Sequence, residues 1–567
     1  MFDLDKIDQC FPKKSYRPQQ RECIEYIVNQ FNSDKKTVVL ECPTGSGKSA
    51  IAMTIANMVS SSYYLTSSKQ LQDQLLDDYD DIVVLKGRNA YPCTYWSRRY
   101  SILRDRKMMT SNELATIISQ NPTCDNGYCK RGLRGDEHTG KASCKQCFTS
   151  NGQLPGELTE LPLGMTHSAC PYFEKLFDAV KARKVVMNFN NFVAQTSIQR
   201  FGVRDLLIID EAHNQESILM DLVSATLSDY RLKKFNIKIP EYDTVAKYIK
   251  WVNDNKIRDL LVTVCEELKC SGVSTYNEID SITNMIKSYD SVINKIDNNT
   301  YGDEWIVQYE DLGTYRKVIF KPVYVQNYAN DILYKYANKV LMLSATILDG
   351  NVFCNSLGIE RYDAALKRIG NNFPVENRLI HFDPVCKLTG GKTQSAVWMP
   401  KVIKKVNELV RKYKGKKGII HTHNFAIHKA LLEGCDSDVR CRFLDQNNFS
   451  DKTDMLAYHA KCDDTVIVAP AMHEGLDLKD DLSRFQIIAK IPYPNFYSDK
   501  QLARRKELDP KYYDWLTALK LVQSVGRSIR SNTDYADTYI IDESFKDVMK
   551  YNSSMFPKWF KEAIRGL

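Results

Sequence analysis

Two short stretches carry residue types and spacings that can do phosphate chemistry. In "TVVLECPTGSGKSAIAMTIANMV" an apolar run from Thr37 meets a glycine turn and then a helical pattern. Gly45 and Gly47 let the backbone curl so that several N–H groups face one phosphate at the positive end of the following helix. Thr44, Gly45, Ser46 and Gly47 would line that phosphate, Lys48 would reach the β- and γ-phosphates of ATP, and the Ser49 hydroxyl would hold Mg²⁺. Cys42 stands where the general pattern has glycine. In "DLLIIDEAHN" four apolar residues deliver Asp210 and Glu211 at the end of a buried strand. Asp210 would hold Mg²⁺ through water, and Glu211 would orient and deprotonate an attacking water. Two acids alone would read as helix N-cap residues; with the lysine turn in the same chain they point to ATP hydrolysis.

A third set is built of thiols. Cys124, Cys129, Cys144 and Cys147 form C-x4-C and C-x2-C pairs, flanked at a distance by Cys93 and Cys170. Taken as four, the inner pairs have the spacing of a Zn²⁺ ribbon. Six of the chain's 16 cysteines crowd into this one segment, and the other ten are dispersed and expected to be small core residues.

Positioning such groups takes repeated strand–helix units. Val/Ile/Leu-rich runs recur before turn signals in "IVVLKG", "VLMLSAT", "KGIIHTHN", "DTVIVAPA" and "FQIIAKIP", most of them followed by a helical period. Strands buried on both faces and alternating with helices imply parallel βαβ units. The expected fold is α/β, with two doubly wound domains, RecA-like motor domains by the resemblance given below. Its first domain is expected in three parts, residues 1–85, 183–228 and 334–365. Between them come a Cys-rich insertion (86–182) and a charged, helical, arch-like insertion (229–333); residues 366–567 form the second domain. Arg88 to Lys145 carries eleven Lys/Arg against five Asp/Glu.

The chain has 567 residues, too many for one core, and its composition is that of a globular protein. A net charge of +8 is compatible with a polyanion partner without requiring one. No apolar run approaches the roughly 18 residues of a membrane span, and the acidic start lacks a secretion signal. The expectation is a soluble, intracellular protein, in cytoplasm or nucleus, with reduced thiols.

The ordered motifs resemble those of superfamily 2 helicases: Lys48, Asp-Glu-Ala-His at Asp210 to His213, "SAT" at Ser344 to Thr346, "HEGLD" at His473 to Asp477, and "QSVGRSIR" at Gln523 to Arg530. The last places two arginines three residues apart, on one face if the segment is helical. Within that superfamily the chain resembles the XPD/DinG-like DNA helicases with an iron–sulfur cluster. "SYRPQQRECIEYI" matches their R-P-x-Q opening and brings in Gln20; "KGRNAYPC" and "ACPYF" resemble the segments at their first and last cluster ligands. The resemblance implies ATP and Mg²⁺ in a cleft between motor domains, contacted by Gln20, Gly475 and Asp477. Gln523, Arg527 and Arg530 would act from the second domain. It also implies a [4Fe–4S] cluster on four thiolates. Cys93 and Cys170 match by their flanks; the middle pair is Cys144 and Cys147, or alternatively Cys124 and Cys129.

The implied function is an ATP-dependent helicase moving 5′→3′ on single-stranded DNA and opening forked DNA, with replication or repair proteins as unspecified partners. "LTSSKQ" after Tyr64, the "NFNNF" run and Arg378 are candidate DNA contacts. The basic stretch "VIKKVNELVRKYKGKKG" reads as a solvated helix face or as a DNA-binding stripe. An RNA-directed DEAH-type ATPase and a zinc-containing nucleic-acid-binding protein are the competing classes.

Overall fold

The short β-branched runs become strands of two parallel sheets in a computed structural model. It describes residues 2–43, 45–67, 69–92, 123–124, 171–230, 232–271, 276–292, 294, 302, 304–370, 373–388, 392–470, 478, 480–529 and 533–567. The first sheet contains β1 (Thr37–Glu41), β2 (Ser62–Thr66), β3 (Val83–Val84), β4 (Lys184–Asn188), β5 (Arg204–Ile209), β9 (Ala337–Ser344) and β10 (Ala364–Arg368). Their order is β10-β1-β9-β5-β2-β4-β3, every neighbouring pair parallel. Val39 pairs with Met342 on one side and Leu366 on the other, so β1 is buried along its whole length.

The second sheet contains β11 (Ile380–Cys386), β12 (Gly418–His421), β13 (Phe443–Asp445), β14 (Val466–Ala469), β15 (Phe485–Ile488), β16 (Asp537–Asp542) and β17 (Ile564–Arg565), ordered β13-β14-β12-β15-β16-β11-β17. It too is parallel throughout. These are the doubly wound α/β sheets expected of RecA-like motor domains, whose ligand crevices lie beyond the carboxyl ends of the strands. β10 lies across the expected junction at 365/366 and pairs with β1 through Arg368.

The expected helical insertion is instead mixed. β6 (Ala225–Ser228), β7 (Trp305–Asp311) and β8 (Arg316–Pro322) form an antiparallel sheet in the order β6-β8-β7. Helices Val245–Asp254, Ile257–Ser271 and Tyr276–Val292 accompany it around a core that includes Leu227, Tyr248, Tyr289 and Phe320. In the hairpin Val307, Val318 and Phe320 bury one face at period two while Ile306 and Ile319, only half-buried, lie on the other, and Gly313 turns the chain at φ +73°.

The dispersed cysteines are less uniformly internal than expected. Cys23, Cys42, Cys265, Cys354 and Cys435 are buried, but Cys10, Cys386 and Cys462 are half-buried and Cys441 is exposed. Among the described residues no helix is long and apolar enough to cross a membrane.

Candidate functional site

The phosphate turn follows β1 directly. Gly45 and Gly47 sit at φ +85° and +82°, and helix Lys48–Asn57 begins at Lys48. Backbone in the left-handed region suits glycine and aims successive N–H groups into one concavity. Cys42 has no positive φ, and its N–H continues the strand pattern to Ser344 O at 2.9 Å, so a side chain is accommodated where the pattern has glycine. Burial pushes its thiol pKa up.

A second segment clamps the turn from outside. Gln20 is buried; its Oε1 accepts from Arg17 N at 2.7 Å and its Nε2 donates to Gly47 O at 3.1 Å. Arg17 donates to Gly45 O. Lys48 and Ser49 lie in the helix's first turn, half-buried, and Ser46 donates its hydroxyl to Pro43 O at 2.7 Å. Thr44 lies outside the described residues.

β5 lies two strands from β1, separated by β9, and ends at Ile209, delivering Asp210 and Glu211 beyond its carboxyl end. Tyr64 donates its hydroxyl to Asp210 Oδ2 at 2.9 Å, and the Glu211 N–H donates to Asp210 Oδ1 at 2.9 Å. Burial, then the Glu211 charge, pushes the Asp210 carboxyl up to about 6, while Lys48 and these hydrogen bonds act the other way. A buried carboxylate opposed by a neighbouring one suits a divalent cation, which would relieve both effects.

The "SAT" turn is tied to both stretches. His213 Nδ1 lies 2.8 Å from Ser344 Oγ and 3.4 Å from Glu211 Oε2. Ser344 donates its hydroxyl to Thr346 O at 3.0 Å, which leaves Nδ1 as the donor toward Ser344. Glu41, at the end of β1, accepts from Ile347 N at 3.0 Å and Leu348 N at 3.2 Å and pairs with Arg368.

Across from these groups stands the second domain. A cleft of about 810 Å³ is lined by Gly45, Glu211 and His213 on one side and by Gln523, Gly526 and Arg527 on the other. Gln523 is 6% exposed, and neither its amide nitrogen nor its oxygen has a hydrogen-bond partner among the described residues. Buried amides are normally satisfied, so this one has the chemistry to take a polar ligand. Helix Pro510–Val525 stops at Gly526, whose N–H bonds Val522 O at 3.0 Å. Arg527 therefore lies in a turn beyond the helix end rather than on a helical face. Arg530, Gly475 and Asp477 lie outside the described residues.

Of the six clustered cysteines only Cys124 is described; Cys93, Cys129, Cys144, Cys147 and Cys170 lie outside. Cys124 is 3% exposed. Its N–H donates to Tyr91 O at 2.8 Å and its thiol to Pro92 O at 3.2 Å. Tyr91 packs edge-on against Tyr172 at 5.7 Å. Cys124 thus sits where the chain just before Cys93 meets the chain just after Cys170. Among the described residues no three His, Cys, Asp or Glu side chains form a metal-binding group.

The candidate DNA contacts fare unevenly. Phe189 and Phe192 are core residues, and Asn191 bonds Leu85 O at 2.9 Å. Arg378 is buried against Glu562 at 2.6 Å and Phe373 O at 3.0 Å, fastening the C-terminal segment. Ser67 and Gln70 line the cleft. In the basic stretch, Arg411 pairs with Asp436 and Asp438 at 2.6 and 2.7 Å and Lys405 with Asp383 at 2.6 Å, as in a solvated, charge-balanced helix face.

Sequence reasoning did not find Arg17, Glu41, Glu216, Tyr512 or Trp515. Arg17 stands in the quoted "YRPQ", but no local pattern announces the other contacts, which join residues far apart in the chain.

Residues 13–250 match the family model described as type III restriction enzyme, res subunit, and residues 406–563 match the helicase C-terminal domain. The chain is similar to the ATP-dependent DNA helicase CHL1 of Candida albicans, 32% identical over 115 residues, covering 17% of this chain and 13% of that protein. CHL1 of Saccharomyces cerevisiae is 29% identical over 121 residues, 18% of this chain and 13% of its own. The matched stretch is thus about an eighth of the length of these relatives. Two solved structures share the fold at 14% identity. One, titled "XPD_Helicase", has a TM-score of 0.61 with 98% of this chain and 100% of that one covered; "XPD_APO" has 0.55, with 95% and 98%.

Proposed function

We propose that this XPD/DinG-like member of superfamily 2 is an ATP-driven helicase that moves 5′→3′ on single-stranded DNA and opens forked DNA. One observation carries the reading: Gly45 and Glu211 face Gln523 and Arg527 across a single cleft. In the mechanism, the turn from Thr44 to Gly47 wraps the phosphates and Lys48 holds the β- and γ-oxygens. Gln20 braces Gly47 beneath them. Glu211 orients the attacking water and takes its proton. Gln523, Arg527 and Arg530 meet the γ-phosphate only when the two domains close, which ties hydrolysis to domain movement. Gly475 and Asp477 belong to the same second-domain surface in this reading.

Ser49 and Asp210 would hold Mg²⁺, which when bound neutralises charge between the phosphates. The buried Asp210 carboxyl, opposed by the charge of half-buried Glu211, fits that cation. A [4Fe–4S] cluster held by Cys93, Cys170 and two further thiolates would brace the insertion. The place of Cys124 beside Pro92 supports counting it among the ligands, ahead of the Cys144 and Cys147 pair, with Cys129 its neighbour in sequence.

The test is ATPase and strand-separation activity of anaerobically purified protein on forks with 5′ or 3′ single-stranded tails, alongside Lys48→Ala. Activity on the 5′-tailed fork that Lys48→Ala abolishes is the expected result. Unwinding by Lys48→Ala would overturn the reading. RNA stimulating the ATPase as well as DNA would move it to the RNA-directed class, and zinc without iron would remove the cluster.

A further inference from the structure

The second domain also touches the first along one helix. Helix Pro510–Val525 begins with a proline at its first turn and an Asp509 cap that accepts from Tyr512 N at 3.2 Å. Tyr512, Trp515, Leu519, Val522 and Gln523 follow helical spacing along one side. Tyr512 and Gln523 stand eleven residues, or roughly three turns and about 16 Å, apart on that face. At the near end Tyr512 donates its hydroxyl to Glu216, in helix Gln215–Val223 just after His213. In the middle Trp515 donates Nε1–H to Ile347 O at 2.8 Å, one residue after Thr346. Lys511 adds an ion pair to Asp349 at 2.8 Å. At the far end Val522 and Gln523 line the cleft.

These contacts are not incidental surface touches. Trp515 is 1% exposed, and Glu216 and Tyr512 are each 7% exposed. Burial pushes the Glu216 carboxyl up to about 7, and Arg505, whose guanidinium lies over the Tyr512 ring at 4.4 Å and the Tyr324 ring at 3.9 Å, acts the other way. Ile347 is itself held from behind, its N–H bonded to Glu41 at the mouth of the phosphate turn. Glu41 and Glu216 are thus each joined to helix Pro510–Val525, the first through Ile347 and Trp515 and the second through Tyr512, by hydrogen bonds with buried partners.

We infer that Trp515 and the Glu216–Tyr512 pair are positioning residues, seating the Gln523–Arg527 end of their helix over the nucleotide cleft. The inference rests on the ATPase reading above and deepens it. None of the three lines the cleft; each sets where the groups that do will stand.

The experiment compares Trp515→Phe, Tyr512→Phe and Glu216→Gln with the full-length wild type. Trp515→Phe and Tyr512→Phe each delete one hydrogen-bond donor while keeping the ring. Glu216→Gln keeps an acceptor for the Tyr512 hydroxyl and so serves as the conservative rescue. For the two phenylalanine variants kcat for DNA-stimulated ATP hydrolysis should fall about tenfold or more while KM for ATP changes less than about threefold. Glu216→Gln should stay within about threefold of wild type in both. Thermal melting measures the folded fraction separately. Hydrogen exchange over residues 519–529 should rise in the phenylalanine variants, with or without nucleotide. Unchanged kcat with unchanged exchange overturns the inference, as does loss of activity that tracks the folded fraction alone. A wild type without Lys48-dependent hydrolysis sinks the ATPase reading instead, and exchange over 519–529 then decides the positioning role by itself.

Discussion

Gln20 fills the space that a side chain on Gly47 would need. A Cβ built there would lie 2.1 Å from Gln20 Nε2, and the φ of +82° is itself unfavourable for any other residue. Gly47→Ala meets both obstacles. It should weaken ATP binding by about tenfold or more, since the left-handed region alone costs a non-glycine residue roughly 1–2 kcal/mol. Gly47→Ala combined with Gln20→Ala relieves the clash but not the backbone, so calorimetric titration with ATP should show only partial recovery. Full recovery would mean that the turn's conformation is not what binds.

Asp210 makes the site pH-sensitive in a definite direction. Burial and the Glu211 charge hold its folded pKa at about 6, above the ordinary value of 3.8. Between those values the folded protein binds more protons than the unfolded one, so stability falls as pH rises through this window and the full penalty is present above pH 6. Asp210→Asn should therefore raise the melting temperature at pH 7.5, by an amount on the order of 1–3 kcal/mol in stability, while abolishing ATP hydrolysis. In the wild type the acid limb of kcat/KM should move to lower pH as Mg²⁺ is raised, because the cation favours the ionised carboxylate. An acid limb indifferent to Mg²⁺ would separate Asp210 from the metal.

How much of this was legible without coordinates divides along a physical line. Strands whose side chains are uniformly apolar, such as Leu206 to Ile209, announce themselves, because burial on both faces excludes polar residues. β2, reading Ser-Tyr-Tyr-Leu-Thr, and the hairpin from Trp305 to Pro322 carry mixed signals; their assignment depends on which neighbour covers each face. The turn at Gly45 and Gly47 is local chemistry and could be read directly. The Trp515–Ile347 and Tyr512–Glu216 bonds join residues 168 and 296 positions apart, and no periodicity encodes a partner at that distance. The end of the motor helix at Gly526 is a similar case. The arginine spacing suggested a continuing face, and the glycine stopped it.

The mixed insertion is docked on the second motor domain, although its chain leaves and re-enters the first. Arg504 pairs with Glu304 at 2.9 Å, Lys321 with Asp499 at 2.8 Å, Gln501 donates to Val323 O at 2.8 Å and Gln308 to Ser498 O at 3.1 Å. The Arg504–Glu304 pair is exposed enough for water to screen it. Arg504→Glu should nonetheless raise hydrogen exchange in the hairpin 305–322, and the added reversal Glu304→Arg should restore protection. A double-mutant cycle with no coupling would show that Lys321–Asp499 and the backbone-directed bonds from Gln501 and Gln308 hold the hairpin without this pair.

Cys124 offers the sharpest test of the thiol set. Its buried sulfur lies 3.2 Å from Pro92 O, next in sequence to Cys93, and Tyr91 beside it packs on Tyr172, two residues after Cys170. A cluster ligand must come within a few ångströms of its fellow ligands, so a thiol held at the meeting of both flanks is better placed than one whose only argument is spacing. Anaerobically purified Cys124→Ser should lose most of its iron and sulfide and the brown absorbance of the wild type, as should Cys93→Ser and Cys170→Ser. Cys144→Ser and Cys147→Ser should keep them. The reverse pattern would make Cys124 a core thiol and return the middle ligands to the C-x2-C pair. Because the readout is metal content, it holds whether or not the variants retain ATPase activity.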